Sequence, residues 1–459
     1  MAFDDSLFCR TVLLPEGWTS NVQLRFDASG KVAAVETDAV PSGGEPVAAG
    51  PVVPALANLH SHAFQRAMAG AAEIAGAGED SFWTWRDAMY RLVGLLDLDG
   101  FEAIAAKLYM ELLQGGFSQV AEFHYLHRPG NASRPALESS RRILSAARTT
   151  GIGLTHLPVF YAHSGFGGAP ATDGQRPFLN DVDGFLSLLE TLAPECEAQG
   201  ARLGFAFHSL RAATPDQMRA ILSAERSFGP IHIHVAEQER EVEECVAALG
   251  ARPVEWLLAE MPVNERWCAI HATHMTVRET EGLARSGAVA GLCPETEANL
   301  GDGIFPATAF HAAGGRFGIG TDSHVATDVA QELRTLEYGQ RLRDRRRARI
   351  VSGPGASVGR TLHDGALAGG HRACGLDQAG IAVGARADLV VLDGNDPFVA
   401  TAQGDAILDR WIFALGARAV RDVMVAGRFV VREGRHERQE EIDADFRNAL
   451  LTLSLTATG

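Results

Sequence analysis

Short apolar runs alternate with helical patterns through the middle of the chain. The runs are PVVPALANLH, FSQVAEFHY, GIGLTHLPVFY, RLGFAFHSL, PIHIHVAE, WCAIHATH, AVAGLCP and RFGIGTDSH. Stretches such as FEAIAAKLYMELLQGG, GFLSLLETLAPECEAQG and PDQMRAILSAE lie between them, with apolar residues at helical spacing. Eight strands separated by helices predict an α/β chain folded as a (β/α)8 TIM-like barrel over residues 51–375. The flanks read differently. LFCRTVLL, NVQLRFD and SGKVAAVET near the start, with ADLVVLD and VRDVMVAGRFVVREGR near the end, are strands punctuated by glycine. They predict one small β-sandwich built from both termini, residues 1–50 with 376–435, followed by an amphipathic C-terminal helix within 436–459.

Composition narrows the setting. The 459 residues are 46% hydrophobic, enough for a large core. No apolar stretch reaches the ~18 residues of a membrane span, so no membrane partner is expected. The start, MAFDDSLFCR, lacks a basic region followed by an apolar block. Six scattered cysteines without a CxxC pair fit a reducing, cytoplasmic setting. A formal charge of −16 argues against a nucleic-acid partner, and the basic run RLRDRRRARI reads as a solvated helix face. The same charge repels an anionic substrate, so a pocket for one needs its own arginines.

The chemistry gathers at the C-terminal ends of the apolar runs, where His60, His62, His124, Tyr125, His208, His234, His271 and Asp322 stand. In a barrel those ends form one face, so the residues converge. Residues i and i+2 of a strand share a side, which turns both His60 and His62 toward the axis. With His234 in HIHVAE and Asp322 in GTDSH they make three imidazoles and a carboxylate, a set suited to one divalent metal ion, Zn²⁺ above others, and a water. Such an ion lowers the pKa of bound water toward ~7. Glu237, three residues past His234, can carry a proton from that water to a leaving amine. His271 can polarise the atom bonded to the attacked carbon or orient the water. His232 reads as a packing residue, and so do Trp83 and Trp85; Arg66, Ser323 and His324 carry no assigned role. Lys31 and Lys107 are the only lysines and neither lies at the end of the fourth run, which excludes a carbamylated-lysine bridge between two metals.

HxH after the first strand, histidines after the fifth and sixth and aspartate after the eighth resemble the amidohydrolase superfamily over essentially the whole chain. HVAE is similar to the HxxE of its mononuclear deaminases. NLHSHAFQRAMAG, SFWTWRDAMY, EFHYLH and FHSLRA look like the formimidoylglutamate deiminases. That resemblance implies hydrolysis of N-formimino-L-glutamate to N-formyl-L-glutamate and ammonia in histidine degradation, with Glu237, His271 and Asp322 catalytic. It implies that Gln65, Arg86, Tyr125, His208 and Arg211 bind this small anionic substrate, Gln65 toward the formimino group, and that the protein is a homodimer. A related deaminase acting on a nucleobase or aminated heterocycle is the alternative; its pocket would favour aromatic walls and amide contacts over two arginines.

Overall fold

The computed structural model describes residues 5–41, 43–71, 73, 82–130, 135–224 and 228–457. Its central sheet is a run of parallel strands: β1 (Leu56–Ser61), β2 (Phe117–His124), β3 (Gly153–Phe160), β4 (Phe205–Ser209), β5 (Ile231–Val235), β6 (Trp267–His271), β7 (Val289–Leu292) and β8 (Arg316–Ile319). Each of the eight apolar runs supplies one of them. They are almost wholly buried because helices cover the outside, which is why they read as apolar runs rather than as alternating strands. The barrel closes just past the end of β8, where Asp322 N–H donates to His60 O at 3.0 Å and His62 N–H to Asp322 O at 3.2 Å.

The opposite end of the barrel is sealed. Leu59, Leu157, Cys268, Ile270, Val289 and Cys374 pack in an apolar cluster of their own. The last turn of helix Val358–Ala373 lies against it, with His232 Nε2 bonded to Ala373 O at 2.8 Å and Thr155 Oγ1 to Cys374 O at 2.7 Å. His232 is therefore a packing residue that ties this helix to β5. Access is left to the C-terminal face.

The terminal segments form one eight-stranded sheet, in the order Arg435–His436, Arg428–Arg432, Val420–Val425, Leu389–Leu392, Val52–Pro54, Ser6–Leu14, Gly17–Phe26, Val32–Glu36. The first apolar run is thus divided. Val52–Pro54 lies between the N-terminal and C-terminal parts of this outer sheet, and only the residues from Leu56 enter the barrel. The sheet curls back on itself through Val32 N–H to Ala385 O (2.9 Å) and Gly384 N–H to Val32 O (2.8 Å). Between its layers Cys9, Val22, Leu24, Val52, Leu389, Met424 and Phe429 make the core of a small sandwich.

Two helices matter below, α1 (Phe82–Leu95) and α2 (Leu98–Gln114). Helix Gln439–Ala457 packs along α2, with Lys107 Nζ 2.6 Å from Asp443 Oδ1. The basic run departs from expectation: helix Val329–Asp344 stops inside it, at a left-handed Arg345 with φ 54°, and the remaining arginines follow a turn. Among the described residues no helix is long and apolar enough to cross a membrane.

Candidate active site

The strand ends bring His60, His62, His234, His271, Glu237 and Asp322 to one place. His60 Nε2 and His62 Nε2 each lie 3.3 Å from Asp322 Oδ1, and His60 Nε2 lies 3.0 Å from His234 Nε2. His271 Nε2 is 3.8 Å from Glu237 Oε1 and 3.9 Å from Asp322 Oδ2. The backbone here is unusual. Ala236, His271, Ala272, Asp322 and His324 all have φ between 46° and 65°, a left-handed conformation rare for residues with a Cβ and concentrated at functional sites.

The donor set fits a metal ion. His62 Nδ1 donates to Phe123 O at 3.0 Å, which leaves Nε2 with a bare lone pair turned toward a carboxylate oxygen. A lone pair facing a carboxylate is repulsive until a cation lies between them. Burial pulls His60 down to about 3 and lowers His62 and His234 as well, so all three are neutral and able to ligate. Burial works against the Asp322 carboxylate, but its bond to His60 and the surrounding imidazoles hold it below the ordinary range.

His271 and Glu237 form a second pair. Burial disfavours an imidazolium at His271, yet Glu237, a hydrogen bond to Glu297 and the Asp322 carboxylate outweigh it and raise the group. Its Nδ1 lies 3.3 Å from Glu297 Oε1, which aims Nε2 at Asp322 and Glu237. Burial likewise pushes the Glu237 carboxyl up, toward neutrality.

Above this centre is a narrow cavity that opens on the C-terminal face of the barrel. Gln65, Arg86, Tyr125, His208 and Arg211 all line it, together with His62, His234, Glu237, His271 and Asp322. Arg86 comes from α1, its guanidinium 4.6 Å from the Trp83 ring centre and 5.6 Å from that of Tyr90. Arg211 follows β4 and is only 7% exposed. Burial works against its charge, but Glu241 and Glu237 outweigh this and keep it charged. Among the described residues the buried Nε atoms of both arginines lack a hydrogen-bond partner. Gln65 donates to Tyr125 Oη at 2.9 Å, while its own buried Oε1 is unpartnered. Burial, aided by Arg211, keeps His208 neutral.

Other residues at the site were not singled out by sequence. Tyr161, Met89, Tyr90, Phe178 and Leu300 line the cavity, and Trp85, expected to pack only, lines it too. Glu297 reaches His271 from helix Pro294–Leu300. A carboxylate three residues into a helix carries no signal of this in the sequence. The unassigned residues acquire contacts as well. His324 Nε2 accepts His62 N–H at 3.2 Å, and its Nδ1 bonds Thr321 Oγ1 at 2.7 Å. Arg66 bonds His324 O at 2.6 Å and Glu111 at 2.7 Å. Ser323 Oγ lies 3.0 Å from Thr296 Oγ1.

A barrel with this cluster at its C-terminal face and an outer sheet drawn from both termini is the architecture of metal-dependent hydrolases, and the comparisons agree. Residues 52–430 match the amidohydrolase family, and the chain belongs to it. Residues 5–48 match the N-terminal domain of formimidoylglutamate deiminase HutF. The chain is 55% identical over 437 residues, 95% of its length and 96% of its relative's, to formimidoylglutamate deiminase of Pseudomonas aeruginosa, and within the family it falls with these deiminases. The crystal structure of an amidohydrolase from Brucella melitensis superposes with a TM-score of 0.93 at 48% identity, covering 98% of this chain and 99% of that one. An adenosine deaminase from Xanthomonas campestris with bound zinc shares the fold at a TM-score of 0.80 and 21% identity, over 98% of each chain.

Proposed function

We propose that the protein hydrolyses N-formimino-L-glutamate to N-formyl-L-glutamate and ammonia, using one divalent ion, Zn²⁺ by preference, held by His60, His62, His234 and Asp322. The single observation that carries the substrate reading is the pair of guanidiniums in the cavity lining, Arg86 and Arg211, whose buried Nε atoms lack a hydrogen-bond partner among the described residues. A buried donor without an acceptor is costly, and a dicarboxylate supplies acceptors to both through bidentate bonds. A neutral heterocycle offers no carboxylate to either.

A bound ion supplies Lewis acidity and a more acidic water. The protein's residues do the rest. Glu237, its carboxyl raised by burial, takes a proton from the attacking water and delivers it to the departing nitrogen. His271, aimed by Glu297, donates through Nε2 to the charge that builds up as the C=N carbon becomes tetrahedral. Asp322 accepts a hydrogen bond from the water with its second oxygen. Gln65 meets the formimino group with its free Oε1, Tyr125 and His208 wall the chain, and the two arginines fix the carboxylates. The net change replaces C=NH by C=O and releases ammonia.

The decisive experiment measures ammonia release from N-formimino-L-glutamate by metal-replete protein, beside the same compound with both carboxylates amidated. Release from the first and not the second is expected. No release from either sinks the assignment. Cytoplasmic location and a homodimer complete the reading by resemblance to the family, and light scattering of the purified chain checks the latter.

A further inference from the structure

Beneath the metal-ligand loop lies a carboxylate that the reaction above does not use. Glu122, on β2, is 1% exposed. Its Oε2 accepts Ser61 Oγ–H at 2.6 Å and Tyr109 O–H at 3.1 Å, and its Oε1 accepts Ala63 N–H at 2.8 Å. Its donors are thus a hydroxyl, a phenol and an amide, none of them charged. A buried carboxylate without a cationic partner is expensive, and an apolar side chain would fill the space at less cost. Its contacts indicate what offsets that cost. Ser61 and Ala63 are the two residues on either side of His62.

The backbone explains why this stretch needs holding. The pairing of β1 with β2 slips between Asn58 and Ser61, so the ladder is irregular where His60 stands and ends at Ser61, one residue before His62. Side-chain bonds add to the backbone bonds that the segment makes with Asp322. On one side His324 Nε2 accepts the His62 N–H; on the other Glu122 grips both neighbours of His62 and ties them through Tyr109 to α2.

We infer that Glu122 is a positioning residue for the metal centre: it sets the angle at which His62 Nε2 meets the ion without touching ion or substrate. The inference rests on the metal reading given under Proposed function. Outer partners of this kind change metal affinity by ~10–100-fold when removed.

The test is zinc affinity, measured by competition with a chromogenic chelator on folded protein, with no turnover required. Glu122→Leu is expected to weaken zinc binding by ~10–100-fold while circular dichroism stays native. Glu122→Gln, which keeps an acceptor for Ala63 and can pair with both hydroxyls, is expected to stay within ~3-fold of the parent. Ser61→Ala removes one of the three bonds and serves if the leucine variant does not fold; it should weaken zinc binding by several-fold, on the order of one hydrogen bond. Unchanged zinc affinity in the folded leucine variant, or in Ser61→Ala if only that one folds, overturns the inference. So does a glutamine variant as weak as the leucine one, since that would assign the effect to charge instead of to bond geometry. A parent protein that binds no zinc overturns the metal reading together with this one, and that failure is read from the parent alone.

Discussion

At the scale of single residues, the site sets ordinary side chains in environments that change what they do. Arg211 would be a surface cation elsewhere; here, buried beside Glu241 and Glu237, it stays charged and lacks a partner at Nε among the described residues. Replacing it with methionine should lower kcat/KM for the dicarboxylate by at least ~100-fold, mostly through KM, and an unchanged value would remove it from the pocket. Glu237→Gln should cost ~10²–10⁴ in kcat while zinc content by atomic absorption stays at the parent level. A loss of zinc would make Glu237 a ligand instead. Burial pushes the Glu122 carboxyl up to about 7, above its ordinary 4.5. The sign follows: the folded state prefers the protonated form, so Glu122 costs nothing below pH 4.5 and destabilises increasingly as pH rises toward 7. Glu122→Gln removes that penalty. The stability of the variant relative to the parent, from urea denaturation of the metal-free proteins, should therefore rise between pH 4.5 and 7 and level off above. A difference independent of pH would contradict the burial argument.

Among elements, what matters is how closely strand ends approach one another. The loop after β8 returns to β1 so tightly that a Cβ added at Gly320 would lie 2.7 Å from His60 Cβ and 2.8 Å from His60 N. Neither neighbour can yield without moving His60, a ligand in the proposed metal site. Gly320→Ala should lower stability by ~1–3 kcal/mol and weaken zinc retention during dialysis; normal retention would show that the β1–β8 seam can open freely. The same seam explains Arg66 and His324. One bonds the other's carbonyl, the other accepts the His62 amide, and both hold exits of neighbouring strands together. Neither role was legible in the sequence, because each depends on which strand closes the barrel. HxH, HVAE and the aspartate after β8 were legible, because each lies within one strand and its exit.

For the whole molecule, the outer sheet joins the two ends of the chain. Val52–Pro54 pairs with Ser6–Leu14 on one side and with Leu389–Leu392 on the other. Deleting residues 1–48 should strip one layer from the sandwich, expose Val52, Leu389 and Met424, and give aggregated protein. A soluble deletion variant with native circular dichroism would show that the barrel stands alone. Metal binding should also be visible globally. A ligand that binds only the folded state stabilises it by about 2.7 kcal/mol at a hundred times its Kd, so chelation should lower Tm and abolish activity, with zinc restoring both. The net charge of −16 acts at this scale too, and the two cavity arginines are its local exception.

The sequence by itself determined the alternation of strands and helices, the split origin of the small sheet and the imidazoles and carboxylates that stand at the strand ends. These are local properties: the length of an apolar run, the two-residue period of a strand, the chemistry of an imidazole. Tertiary structure decided the rest. It placed Glu297 behind His271, Glu122 beneath His62, Tyr161 and Trp85 in the cavity wall, and Val52–Pro54 in the outer sheet instead of the barrel. Each of these depends on contacts between segments far apart in the chain, and such contacts arise only once the barrel closes and its helices pack around it.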